Sequence, residues 1–127
     1  MGTILIEAAF ILPLFLLLCA AIFEFGKVLM VKQVITNAAR EATRMAVVRL
    51  DDAEALSTAE TVSQDYLTRS GVDTSLVTVE PVLLDVDGTE AVQVTISYDY
   101  SSTLSPWIPG IPETFGLRSR VLMRREA

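Results

Sequence analysis

The sequence predicts an α+β protein. A long N-terminal transmembrane helix extends into an amphipathic helix, and a small domain packs on it with one short helix and a three-stranded antiparallel sheet. Three observations predict this. Ala8–Phe23 is apolar and carries no charge. Beyond Lys27 the apolar residues narrow to one helical face. The second half holds runs rich in β-branched residues, two of them separated by Asp87–Gly88.

The first element is the apolar helix. At 1.5 Å rise per residue, Ala8–Phe23 spans roughly 24 Å, short of a bilayer core of about 30 Å. Full length requires Thr3–Ile6 upstream, which places Glu7 inside the membrane helix. A secretory signal peptide fits poorly: no basic residue precedes the run, no small-x-small site follows it, and the helical pattern continues. Pro13 lies inside the run, removes a hydrogen bond to Ala9 and is expected to bend the helix.

The helix is expected to continue to about Leu50. Val31, Ile35, Ala38, Ala42 and Met45 recur at spacings of four and three, which makes one apolar stripe. The domain boundaries are therefore 1–26 for the transmembrane helix, 27–50 for its amphipathic extension and 51–127 for a small domain. Asp51 or Asp52 caps a second helix, Ala55, Ala59, Val62, Tyr66 and Leu67 share its face, and Gly71 ends it. SLVTVEPVLLDV and AVQVTISYDYS form a hairpin around Asp87–Gly88. SPWIPGIPETFG reads as an irregular loop. LRSRVLMRRE alternates as a third strand, with Arg124 and Arg125 as a solvated end.

Composition narrows the function. Of the 127 residues, 51% are hydrophobic, and the excess lies in the first 31. Residues 1–50 hold five basic and three acidic side chains, net +2; residues 51–127 hold five basic and thirteen acidic, net −8. A domain this acidic repels nucleic acid. There is no histidine and one cysteine. The commonest general base and metal ligand are absent, and an intrachain disulfide is excluded. Cys19 reads as a small buried hydrophobe. Without a GxSxG or phosphate-binding loop the chain is not expected to be an enzyme. Asp85, Asp87 and Glu90 read as an acidic turn rather than a calcium loop. No metal or cofactor is implied.

Glu7 does not belong in such a run. A carboxylate in a membrane helix costs about 2.5–3.5 kcal/mol on insertion scales. Lys27, the nearest cation in sequence, lies about 30 Å further along the helix. An ion-pair partner must come from another chain or from a free N-terminal amine. A cut after Gly2 would create that amine on Thr3. The alternative is that Glu7 snorkels to the headgroups. In the Pro-rich loop, Trp107, Ile108 and Ile111 read either as a contact to the membrane or a neighbouring subunit, or as a cover over the domain core.

The segment GTILIEAAFILPLF followed by leucines resembles the processing site of type IV pilins and pseudopilins. More of the chain looks like the TadE-like proteins of tight-adherence pilus systems. Ile22-Phe23-Glu24-Phe25-Gly26-Lys27 and Thr36-Asn37-Ala38-Ala39-Arg40-Glu41-Ala42 carry that resemblance, with Tyr98, Tyr100 and the closing Met123-Arg124 more loosely. Family precursors usually carry a basic leader before the glycine, whereas Met1 alone precedes it here.

The resemblance implies a minor pilin or pseudopilin acting structurally in assembly of a type IV-like pilus. Gly2 and Thr3 would flank the bond cut by a prepilin peptidase, and Glu7 would guide subunit docking. The implied partners are other TadE- and TadF-like subunits, the bulk pilin, the prepilin peptidase and the inner-membrane assembly platform. The implied location is the bacterial inner membrane, single pass with the domain extracytoplasmic, and then the extracellular pilus. The alternatives are a membrane-tethered binding module that does not polymerise, and the main filament subunit.

Overall fold

The computed structural model describes residues 1–125; Glu126 and Ala127, where the expected third strand and the 51–127 domain end, lie outside the described residues. The chain folds as α1 (Gly2–Val47), α2 (Asp52–Arg69), a 3-10 turn (Thr74–Leu76), β1 (Val77–Val86), β2 (Thr89–Ser101) and β3 (Thr114–Arg124). The sheet is antiparallel in the order β1-β2-β3. This is the α+β architecture expected, with a transmembrane-capable N-terminal helix.

Local chemistry accounts for the connections. After α2, Gly71 adopts φ 79°, a left-handed conformation that costs glycine little. Gly71 N–H then reaches the Thr68 carbonyl at 3.2 Å, and Val72 N–H reaches that of Leu67 at 3.0 Å. These two bonds satisfy helix-end carbonyls in the Schellman pattern. Asp51 occupies the N-cap position with an extended backbone, but its side chain makes no capping bond. Asp87 (φ 54°) and Gly88 (φ 79°) form the two-residue turn between Val86 and Thr89. Two positive φ values give a turn whose twist matches the hairpin's.

One face of the sheet packs on the helices. Val92, Val94 and Ile96 of β2 are fully buried, with Val77, Val79 and Leu83 of β1 and Leu117 and Val121 of β3 beside them. Arg118, Arg120, Leu122 and Arg124 point the other way and are exposed, as the period-two alternation requires. β3 begins at Thr114, three residues before its expected start, because Thr114, Phe115 and Gly116 pair with Ser101, Tyr100 and Asp99.

On α1 the buried residues are Glu24, Ile35, Ala38, Ala39, Ala42, Thr43 and Ala46. Met45, expected on this stripe, is 37% exposed, and Ala46 takes its place. The reason is angular. At about 100° per residue, Ala46 lies roughly 20° from Ile35 around the helix and Met45 roughly 80°. The alanines keep this face of the helix small where it joins the core. Arg125 is the second correction. Its side chain is 10% exposed and its Nη1 reaches Asp52 at 3.0 Å and Glu90 at 2.7 Å. It ties the start of α2 to the sheet instead of forming a solvated end, and these carboxylates raise its pKa further.

Candidate functional site

Three contacts set the height of the sheet along α1. Glu24 meets Thr103 just beyond β2. Ser119 Oγ donates to Thr36 Oγ1 at 2.9 Å. Arg125 binds Asp52 beyond the helix end. From Glu24 to Thr36 the helix rises about 18 Å, and from Ser102 back to Ile96, the partner of Ser119, the strand covers about 20 Å. The strands therefore run along the helix, and the β2–β3 loop lies at the domain end facing the helix N-terminus.

Below Glu24 the helix is bare. Ile4, Phe10 and Phe23 are 68%, 78% and 71% exposed, and among the described residues none of the apolar window is buried. The bare part, residues 2–23, is about 33 Å long, close to the thickness of a bilayer core. The uncharged run Ala8–Phe23 is shorter than this bare part, which also carries Glu7. The helix continues unbroken through Pro13. Cys19, expected to be buried, is exposed on this bare segment.

Glu7 is exposed on the bare helix. It lines a shallow apolar groove with Ile4, Ala8, Ile11, Leu12 and Phe15, which share its face at helical spacing. It forms no ion pair among the described residues. Gly2 and Thr3 form the first turn of α1, with no acidic side chain beside them in that turn. The structure thus places Gly2, Thr3 and Glu7 together at one end of an uncovered helix.

Sequence reasoning missed the most tightly held carboxylate. Glu24 is 8% exposed. Thr103 N–H donates to its Oε1 at 2.9 Å and Thr103 Oγ1 donates to its Oε2 at 2.6 Å. Lys27 Nζ stands 3.9 Å from Oε2, and 5.7 Å from the centre of the Phe23 ring. A signal was available: Glu24 precedes Ile35 by eleven residues, which places it about 20° from the buried stripe. Burial pushes the Tyr100 phenol above its ordinary pKa, and the nearby Glu24 charge adds to this.

The loop residues separate. Trp107 is 80% exposed. Ile108 and Ile111 are half-buried, and Ile111 lines an open recess of 450 Å³ with Leu104, Phe115 and Ala21. The loop thus turns Ile111 inward against the helix and leaves Trp107 outward.

A bare helix of membrane length, bearing one carboxylate and an α+β domain on its upper half, fits the class of single-helix membrane-anchored proteins. Residues 2–44 match the family model described as TadE-like protein, so over that stretch the chain is similar to TadE-like proteins. The match ends within α1 and does not reach the sheet. No curated protein and no solved structure matches the chain.

Proposed function

We propose that this chain is a minor pilin or pseudopilin that acts structurally in assembling a Tad type IV-like pilus. The observation that carries the reading is Glu7: an exposed carboxylate on an apolar helix, with no ion-pair partner among the described residues. Such a charge is costly in lipid and favourable beside a cation in low dielectric. Cleavage after Gly2 supplies that cation as the Thr3 ammonium of a neighbouring subunit, offset along the helix by about one turn. The bare helix is then held in the inner membrane with the domain extracytoplasmic, and moves into the filament on assembly. The prepilin peptidase, the assembly platform, TadE- and TadF-like subunits and the bulk pilin are its partners. No catalytic role is assigned.

The test is Glu7→Gln in cells carrying the cognate pilus genes. The variant is expected to insert normally but to fall at least about tenfold in the sheared pilus fraction, the effect of losing a pairing of about 1.4 kcal/mol. Full incorporation of Glu7→Gln would contradict the docking role and favour a tethered module that does not polymerise.

A further inference from the structure

We propose that the β2–β3 loop seats Trp107 in the headgroup interface of the bilayer, so that the domain is held at the membrane by the loop as well as by α1. The inference rests on the reading of residues 2–23 as membrane-embedded.

Position is the first argument. The Glu24–Thr103 contact pins the loop where the bare helix begins. Leu104 and Ile111 stand over Ala21, inside the bare segment. If residues 2–23 occupy the hydrocarbon, the loop lies at the boundary. Lys27, at the same level on α1, is 40% exposed and available to lipid phosphates.

Composition is the second. Ser102–Pro112 carries no charge, inside a part of the chain with thirteen acidic side chains. Its one large exposed residue is tryptophan, whose apolar ring and polar N–H suit the membrane–water interface.

The backbone is the third. Unpaired N–H groups are what make a loop costly to dehydrate. Pro106, Pro109 and Pro112 have none. Ser102 N–H donates to Glu113 O, Thr103 N–H to Glu24 and Leu104 N–H to Ser102 Oγ. Trp107 and Ile108 N–H both donate to Leu104 O. Ser105, Gly110 and Ile111 are left to donate to water or headgroups.

Trp107 is the chain's single tryptophan, so its emission reports this loop alone. The full chain is reconstituted at low protein-to-lipid ratio in vesicles of phosphatidylethanolamine and phosphatidylglycerol. A fraction of the lipid is brominated at the top or at the end of the acyl chain. Flotation with the vesicles after alkaline washing reports insertion of the helix. The expected result is an inserted chain with blue-shifted emission, loss of intensity with the top-brominated lipid, little loss with the end-brominated one, and weak quenching by aqueous acrylamide. An inserted chain with red emission that acrylamide quenches freely would overturn the inference and leave the anchor standing. A blue shift that vanishes as protein is diluted in lipid would also overturn it, since the loop would then contact a second subunit. Failure to float would overturn the membrane reading and the inference together.

Discussion

The carboxylate of Glu24 is held by the backbone N–H and the hydroxyl of Thr103, at 2.9 and 2.6 Å, across 79 residues of sequence. This contact marks where the helix stops being covered by its own domain. It makes the height of the β2–β3 loop a property of two residues.

Thr103→Val removes the shorter bond while keeping the side-chain shape. A hydrogen bond to a charged group is worth about 1.5–3 kcal/mol, and the variant should lose stability in that range. Denaturant unfolding in micelles measures it. Amide exchange should accelerate across the β2–β3 loop and remain unchanged at the Asp87–Gly88 turn. Loop exchange in Thr103→Val equal to that of the unsubstituted protein would mean that the contact does not hold the loop.

The alanine stripe makes a second prediction. Ala42 is fully buried in the hydrophobic core, so Ala42→Leu overpacks and should cost about 1–3 kcal/mol. Met45→Leu, on a 37% exposed position, should change stability by less than about 0.5 kcal/mol. Paired thermal or denaturant unfolding of the two variants distinguishes them. Similar losses would place the packed face elsewhere.

Much of this was legible in the sequence, and the exceptions share a cause. Periodicity gave α1, α2, the hairpin and the alternation of β3, because each reflects a local pattern of burial. It misjudged Met45 because a repeat of four and three drifts around a straight helix, so that Ala46 ends on the stripe. It gave Glu24 no role and left Arg125 as a solvated end because their partners, Thr103, Asp52 and Glu90, are distant in sequence and are brought together only by the sheet's height on the helix. Of the candidate site, the clustering of Gly2, Thr3 and Glu7 follows from their sequence proximity on one helix. The outward Trp107 and the inward Ile111 required the loop's internal hydrogen bonds, which no local pattern specifies.

Tyr100 gives the fold a pH dependence. Burial, with the nearby Glu24 charge, raises its phenol pKa above the ordinary value. Its neutral form is favoured in the fold, so this contribution is fully present below about pH 10, the ordinary tyrosine value. It is lost as pH rises through the raised native value, because the unfolded chain releases that proton first. Tyr100→Phe should weaken the alkaline fall in stability measured by denaturant unfolding. An unchanged alkaline slope would show that Tyr100 contributes nothing to it.

The central claim is that the bare helix is a processed pilin-type helix, with Glu7 placed to meet the amine made by cutting after Gly2. The most direct measurement is the intact mass of the chain expressed with and without the cognate prepilin peptidase, alongside a Gly2→Leu variant. The account predicts a peptidase-dependent species beginning at Thr3 that disappears in Gly2→Leu. An unchanged mass with active peptidase would contradict it, leaving Glu7 without its proposed partner and the chain as an unprocessed membrane anchor.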